Sequence, residues 1–174
     1  MIAAVVLAAG AGTRFGGAKQ RLLLPGVLER VRRGGIREVV VVEGAHTLDA
    51  AGAEVVHCPD WARGPGASLR CGLAALPAEA DAALVVLADG PELDPRAVAR
   101  VAEAWRGEPV LAATYGGRRL HPVLLARETW SRIPDEGARS LEAVPVPCDD
   151  LDPPGDVDFA DDLPGRLSPP SDES

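Results

Sequence analysis

Short runs of aliphatic residues alternate along the first half of the chain with segments whose apolar residues recur at helical spacing. Strands are predicted over residues 3–8, 38–42, 53–57 and 82–87, and helices over residues 27–33, 68–76 and 95–105. The valine run in 38–42 and the run over 82–87 are continuous, as in strands that are covered on both faces. Strands that alternate with helices predict right-handed βαβ crossovers and a mostly parallel sheet.

The pattern changes after Trp105. Residues 109–115 and 120–125 form extended segments on either side of Gly116-Gly117, which predicts a hairpin or a wide turn. A short helix over 127–133 and a strand over 141–146 follow. Because no repeat or linker divides the chain, we expect one domain over residues 1–166 and a disordered tail over 167–174. The predicted fold is α/β: a single-domain, Rossmann-like three-layer sandwich whose mostly parallel sheet carries a β-hairpin-like insertion.

Composition restricts the partners of this domain. The chain has 18 Lys and Arg against 26 Asp and Glu, a net charge of −8. That balance argues against a nucleic-acid or anionic-membrane surface, since both need a basic footprint. Three cysteines without a CxxC pair are interpreted as small buried residues in a reduced, cytoplasmic compartment. The apolar start lacks the basic residues of a signal peptide and predicts a buried strand.

The most informative segment is Leu-Ala-Ala-Gly-Ala-Gly-Thr-Arg-Phe-Gly-Gly-Ala-Lys, residues 7–19, directly after the first predicted strand. Its glycines let the backbone approach a ligand, with N–H groups turned toward phosphate oxygens. The third glycine, Gly16, comes one position late for G-x-G-x-x-G, and no hydroxyl residue follows Lys19 as in G-x-x-x-x-G-K-[ST]. Two cations, Arg14 and Lys19, favour a triphosphate whose leaving pyrophosphate needs neutralisation. The alternative is a flexible turn with two solvated basic side chains.

This segment resembles the signature L-A-A-G-x-G-T-R-x-G-x-x-K of sugar-phosphate and cofactor nucleotidyltransferases. Pieces downstream, above all His-Pro-Val-Leu at 121–124 and Glu-Gly-Ala-Arg at 136–139, resemble the MobA/MocA-like group of molybdenum-cofactor nucleotidylyltransferases. The other similar pieces are residues 58–61, 64–69, 87–91 and 156–163. The resemblance implies the nucleotide-diphospho-sugar transferase type of fold. It also implies transfer of a nucleoside monophosphate from a nucleoside triphosphate to a phosphorylated acceptor, with release of pyrophosphate.

Aspartates at two places are candidate metal ligands. Asp89 ends the fourth predicted strand on the same sheet edge as the glycine loop, where open α/β sheets bind ligands. A carboxylate there can hold Mg²⁺ that also binds phosphate oxygens. Asp89 could instead cap the next helix, although Asp94 is better placed for that. The resemblance implies that Asp158 completes the metal site, with Asp156 as the alternative.

The resemblance further implies the substrate contacts. Arg14, Lys19 and Asp89 are the expected catalytic residues. The acceptor, by default molybdopterin, is expected near His121 and Arg139. A histidine beside a proline is often structural, however, and Arg139 could simply hold its own loop. The expected nucleotide contacts are Leu7, Ala8, Ala9, Gly10, Gly12, Thr13, Arg14, Lys19, Pro59, Gly64 and Ser68.

Two of these expectations carry an alternative. Ser68 is equally well explained as the N-cap of the helix over 68–76. The form Leu7-Ala8-Ala9-Gly10 is closer to that of cytidylyl enzymes than to the L-A-G-G of guanylyl enzymes, which favours CTP over GTP. Because aromatic residues are scarce, we expect the base to be recognised by backbone and short side chains.

The chain departs from the family's pattern after Lys19, where it is shorter. The helix over 27–33 makes barely two turns, so a curtailed first crossover helix is expected.

Two other interpretations of the function remain open. One is a dinucleotide-binding oxidoreductase, in which Glu43 at the end of the second strand would bind a ribose 2′-OH. The other is a catalytically inactive module that retains nucleotide affinity.

Overall fold

The computed structural model describes residues 1–10, 19–50 and 52–155, with Lys19 through its backbone alone. The strands that it describes form one sheet, in the order β3-β2-β1-β4-β6-β5-β7. They are β1 (Ile2–Leu7), β2 (Val39–Glu43), β3 (Glu54–His57), β4 (Ala82–Leu87), β5 (Val110–Tyr115), β6 (Arg118–Ala126) and β7 (Val144–Pro147). The α-helices are α1 (Lys19–Arg33), α2 (Pro65–Ala75) and α3 (Pro95–Ala104), with 3₁₀ helices at Trp61–Arg63, Arg127–Arg132 and Ala138–Ser140.

The predicted parallel part of the sheet is confirmed. Strand β1 lies between β2 and β4 and pairs in parallel with both, and β2 pairs in parallel with β3. Leu7 at the end of β1 is in register with Val42 on one side and with Leu87 on the other. The carboxyl ends of these strands therefore meet at one edge of the sheet.

The Gly-Gly hairpin is also confirmed. Strands β5 and β6 are antiparallel, Tyr115 pairs with Arg118, and Gly116 and Gly117 between them have φ angles of 57° and 80°. Positive φ at both central residues is the requirement of a tight two-residue hairpin turn, which glycine meets without strain. Because β6 also runs antiparallel to β4, the first residues of β6 reach the sheet edge at which β1 and β4 end.

The expectation of a curtailed first helix is wrong. Helix α1 extends over Lys19–Arg33 and passes through Pro25. Pro25 and Gly26 lie on the exposed side of the helix, where water can bond the carbonyl that proline leaves without a donor. On the opposite side Leu24, Leu28 and Val31 are buried at helical spacing in the core. Burial of that apolar stripe outweighs the local cost of the proline.

The core has two layers because the sheet is covered on both faces. Alternate residues of β1 point to opposite sides: Ala4 and Val6 belong to the layer beneath α1 and α3, and Ala3 and Val5 to the layer beneath α2. Helix α2 lies very close to the sheet. A Cβ added at Gly72 would lie 2.5 Å from Cγ1 of Val5 and 2.7 Å from Cγ2 of Val42.

The interpretation of the cysteines as buried residues is confirmed for Cys58 and Cys148, but the expectation of reduced thiols is wrong for Cys58 and Cys71. Cys148 is a buried free thiol, as expected. Cys58 and Cys71 are joined in a disulfide, with their Cα atoms 5.9 Å apart, a separation that a disulfide spans readily. The pairing joins the end of β3 to α2. It depends on how α2 packs on the sheet, which the spacing of the cysteines does not reveal.

No helix in the part of the chain described is long and apolar enough to cross a membrane.

Gly72→Ala is expected to lower the free energy of unfolding by about 1–3 kcal/mol, because the added methyl group meets the stiff side chains of Val5 and Val42. Gly26→Ala on α1 is the matched control, since nothing lies within 4 Å of its added Cβ. It should leave stability unchanged or raise it by up to about 1 kcal/mol. Urea unfolding measures both. Equal stability for the two variants would contradict the close approach of α2.

Candidate active site

The sheet edge where β1, β2 and β4 end is the starting point of the candidate site. The Ala8 amide donates to the Val42 carbonyl at 3.0 Å, and the Ala88 amide donates to the Leu7 carbonyl at 3.0 Å, so strand pairing continues one residue beyond each strand. Asp89 follows directly, half-buried. It lies beside the start of the glycine loop, in the position that the sequence predicts. Asp94, not Asp89, caps α3, because its carboxylate accepts from the Arg96 amide at 2.8 Å.

The glycine loop is described only at its two ends. Leu7, Ala8, Ala9 and Gly10 form its beginning, whereas Gly12, Thr13 and Arg14 lie outside the described residues. Lys19 is the first residue of α1, and its side chain likewise lies outside the description. The metal-ligand candidates Asp156 and Asp158 are outside it too.

Gln20 is a site residue that sequence reasoning missed. Its side chain is buried, and its Nε2 donates to the Gly10 carbonyl at 3.1 Å, so α1 holds the beginning of the glycine loop. Its Oε1 is buried and has no hydrogen-bond partner among the described residues. The signal in the sequence was its place directly after Lys19, on the helical turn that follows the loop.

The second predicted nucleotide loop leads into α2. The helix starts earlier than predicted, with Pro65 in its first turn and Gly64 as its N-cap. The alternative of Ser68 as N-cap is therefore wrong. Ser68 is buried inside that turn. Gly64 has a φ of 138°, a conformation that favours glycine, and its added Cβ would lie 2.6 Å from the Asp135 carbonyl oxygen. Pro59 is exposed at the other end of the loop.

Two cavities flank the beginning of β6, one on each face of the sheet, and Leu87, Leu120 and His121 border both. The α3-side cavity, of about 370 Å³, is also lined by Val86, Gly90, Leu93, Arg118, Pro153, Pro154 and Gly155. The α2-side cavity, of about 380 Å³, is also lined by Leu7, Pro65, Leu69, Val85, Arg119, Val123, Glu136, Gly137, Ala138 and Arg139. The structure thus brings the predicted acceptor residues His121 and Arg139 to one cavity.

The surroundings of His121 favour its neutral form. Burial of the imidazole lowers the His121 pKa to about 4, with a further lowering by the Arg119 charge and a partial offset by the charge of Asp89. Asp89 and His121 lie at the same sheet edge, because β6 begins where β4 ends. A neutral imidazole can donate one hydrogen bond and accept another, but it offers no positive charge to a phosphate.

Residues 136–139 form one wall of the α2-side cavity, and Arg119 holds the end of this segment. Its two Nη atoms donate to the carbonyls of Leu141 and Ala138, the latter at 2.8 Å, and burial lowers the pKa of this guanidinium. Arg119 therefore ties this loop down, the role considered for Arg139. Arg139 is exposed and makes no hydrogen bond or ion pair within the described part of the chain.

Glu43 is engaged by the protein itself. Its Oε2 accepts from the Leu48 amide at 2.8 Å, and its Oε1 lies 3.5 Å from Nδ1 of His57. The carboxylate that would have bound a dinucleotide ribose thus already has partners. Across residues 1–10, 20–50 and 52–155, no three or more His, Cys, Asp or Glu side chains are grouped to hold a metal ion.

Comparison with known proteins identifies the family. The family model of the MobA-like NTP transferase domain matches residues 4–144. No curated protein sequence matches the chain.

Solved structures share the fold. A homologue of Mycobacterium tuberculosis Rv0371c from Mycobacterium sp. strain JC1 is 24% identical with a TM-score of 0.76, covering 92% of this chain and 91% of its own. Rv0371c of M. tuberculosis H37Rv is 27% identical with a TM-score of 0.73, covering 92% and 94%. Mth528, a nucleotidyl transferase from Methanothermobacter, is 24% identical with a TM-score of 0.64, covering 79% and 78%.

Replacing His121 is expected to change how stability depends on pH. Unfolded histidine takes up a proton near pH 6.5, whereas folded His121 does so only near pH 4. The unfolding free energy of the native chain should therefore fall as pH drops between these values, by up to about 1.4 kcal/mol per pH unit.

His121→Gln should lose that contribution, so the unfolding free energy of the native chain minus that of the variant should fall from pH 7 to pH 4.5. Urea unfolding at several pH values without divalent cations measures this difference. A difference that stays constant over this range would show that His121 titrates normally.

Proposed function

Since this chain belongs to the family of MobA-like NTP transferase domains, we propose that it transfers a nucleotidyl group from a nucleoside triphosphate to a phosphorylated acceptor and releases pyrophosphate. CTP is the proposed donor in preference to GTP, and molybdopterin is the first candidate acceptor. The domain is proposed to extend to residue 166.

One observation carries this proposal: three chemically different groups meet at one edge of the sheet. The glycine loop follows β1, Asp89 lies two residues after the end of β4, and Arg118, Arg119 and His121 lie in the first four residues of β6. A backbone loop for phosphates, a carboxylate and a cluster of cationic and neutral donors are the groups that phosphoryl transfer needs side by side. The binding crevice of an open α/β sheet is expected at the same edge.

The donor triphosphate is proposed to lie along the glycine loop. Backbone N–H groups of the loop would bind the β- and γ-phosphates, and Arg14 and Lys19 would neutralise the leaving pyrophosphate. The hydrogen bond from Gln20 to the Gly10 carbonyl supports this arrangement, because it fixes the entry of the loop before any ligand binds.

A divalent cation fits the chemistry of Asp89, since a partly buried carboxylate beside a phosphate loop provides hard oxygen ligands. We propose Mg²⁺, held by Asp89 and Asp158, and one solved structure of Rv0371c, 22% identical, is a complex with manganese. When bound, the cation would supply positive charge to the phosphate oxygens at the reacting centre.

The chemistry is an in-line displacement at the α-phosphorus. An oxygen of the acceptor phosphate forms the new P–O bond as the bond to the β-phosphate oxygen breaks, and pyrophosphate leaves. The attacking phosphate is already an anion, so no general base has to remove a proton. The neutral state of His121 suits this scheme, in which its proposed role is to orient the acceptor by hydrogen bonding. Rate acceleration would come from positioning and charge neutralisation.

The α2-side cavity is the proposed acceptor site. Arg119, which lines this cavity, already donates two N–H groups to the carbonyls of residues 138 and 141. Arg139 remains as a cation without partners in the described part of the chain. Its guanidinium matches a phosphate in both charge and geometry. Arg139 is therefore the proposed anchor of the acceptor phosphate.

The form of the glycine loop supports CTP. Leu7-Ala8-Ala9-Gly10 has alanine where guanylyl enzymes of this group tend to carry glycine, and Ala9 is buried. The competing hypothesis is a module that binds nucleotide without turnover. It would bind CTP or GTP as an enzyme does, but it would not release pyrophosphate with any acceptor.

The test is a panel of CTP, GTP, ATP and UTP with Mg²⁺, combined with molybdopterin, sugar phosphates and other phosphorylated alcohols, and scored for pyrophosphate. The expected result is release with CTP and molybdopterin that Asp89→Asn abolishes without lowering the thermal midpoint by more than a few degrees. Glu79→Gln, an exposed carboxylate ahead of β4 at the opposite edge, is the control and should keep full activity. Undiminished Mg²⁺-dependent turnover in Asp89→Asn would refute the metal assignment.

Arg139→Gln should raise the KM for the acceptor by about tenfold or more, the equivalent of one charge-assisted contact, and change the KM for CTP by less than about twofold. Steady-state kinetics with each substrate varied in turn measures both constants. Arg118→Gln, at the mouth of the α3-side cavity, serves for comparison and should affect the acceptor KM less. If the order is reversed, the acceptor phosphate lies on the other face of the sheet.

A further inference from the structure

A network of polar contacts joins α2 to the loop that precedes the 3₁₀ helix Ala138–Ser140. Arg70 of α2 donates from Nη2 to Oδ1 of Asp135 at 2.6 Å and from Nη1 to the Ile133 carbonyl at 2.7 Å. Nη2 of Arg63 lies 3.3 Å from the other oxygen of the same carboxylate. The two arginines hold the pKa of Asp135 below its usual value, with Arg70 contributing most.

The backbones of the same two segments touch. The Gly66 amide donates to the Asp135 carbonyl at 2.9 Å. A Cβ added at Gly66 would lie only 1.7 Å from the Pro134 carbonyl oxygen, so the contact requires glycine. The first turn of α2 and residues 134–135 therefore form one joined unit, which the side chains of Arg70 and Asp135 lock from outside.

These segments support the two walls of the α2-side cavity. Pro65 and Leu69 of α2 line one wall, and residues 136–139 line the other. Arg119 holds the far end of the second wall through Ala138 and Leu141. The near end is held by the contacts of Arg70 and by the hydrogen bond from the Gly66 amide to the Asp135 carbonyl. The position of Arg139 relative to α2 is thus set by Arg119 and Arg70 together with that backbone bond.

We propose that Arg70 and Asp135 are positioning residues that fix the distance between the walls of the α2-side cavity, and that the pair thereby determines affinity for the phosphorylated acceptor. This inference rests on the proposed function. The pair is partly exposed, and such ion pairs add little to global stability, so its effect should fall on the geometry of the cavity. Arginine is required because its planar fork reaches a carbonyl and a carboxylate at once, which lysine does not.

The chain contains a matched control. Arg100 of α3 donates to Asp150 at 2.6 and 2.9 Å and to the Pro147 carbonyl at 3.1 Å. Arg100 thus also binds one carboxylate and one backbone carbonyl of a later segment, and none of the three residues lines the α2-side cavity. Asp150→Ala therefore removes an equivalent ion pair without touching that cavity.

The experiment compares Asp135→Ala, Arg70→Lys and Asp150→Ala. With CTP as donor and molybdopterin as acceptor, Asp135→Ala should raise the acceptor KM by about tenfold, with less than about twofold change in the CTP KM. Arg70→Lys should lie in between, and Asp150→Ala should match the native enzyme. An acceptor KM in Asp135→Ala equal to that in Asp150→Ala would overturn the proposal.

Hydrogen exchange tests the pair without any turnover. Amides of residues 135–141, among them Gly137 and Leu141, which donate to the carbonyls of Pro134 and Ala138, should exchange faster in Asp135→Ala and Arg70→Lys but not in Asp150→Ala. Unchanged exchange would overturn the positioning role even in an active enzyme. A native chain that releases no pyrophosphate with any acceptor would instead refute the proposed function, and the exchange result would still decide whether the pair holds the wall.

Discussion

The candidate site depends on the two neighbours of strand β4. On one side β4 pairs in parallel with β1, and on the other it pairs antiparallel with β6. Two strand ends and one strand beginning are thereby forced to the same sheet edge. The glycine loop, Asp89 and the Arg-Arg-Leu-His start of β6 follow from that one arrangement. A register shift of one residue would turn every buried side chain of β4 to the opposite face, and the pairing is therefore fixed by the core on both sides.

Arginines give this edge of the sheet a local positive charge, whereas the protein as a whole is acidic. The chain carries a net charge of −8, yet Arg118, Arg119 and Arg139 border the two cavities. Arg119 contributes to structure, since its N–H groups are used on backbone carbonyls. Arg139 is the proposed contact of the acceptor phosphate. A cationic pocket in an acidic protein favours small phosphate ligands over polyanions, which would be repelled by the surrounding surface.

Much of this architecture could be predicted from the sequence. Continuous aliphatic runs marked the strands, the Gly-Gly pair marked the hairpin, and the end of the fourth run located Asp89. The start of α1 was missed because Pro25 and Gly26 indicate a break, whereas the buried stripe of Leu24, Leu28 and Val31 continues the helix. Gln20, Arg119 and the Arg70–Asp135 pair were missed for a different reason. Their partners are fixed by the packing of distant segments, and nothing in local spacing reports such contacts. The roles predicted for Arg14, Lys19 and Asp158 stay predictions.

The most direct measurement is a crystal structure obtained with CTP and manganese, in which anomalous scattering locates the metal. The account predicts one manganese ion coordinated by the Asp89 carboxylate and by triphosphate oxygens, with the triphosphate along residues 10–19 and Lys19 directed at it. Nucleotide and metal bound elsewhere, with Asp89 and Lys19 facing away from any shared cleft, would contradict the account.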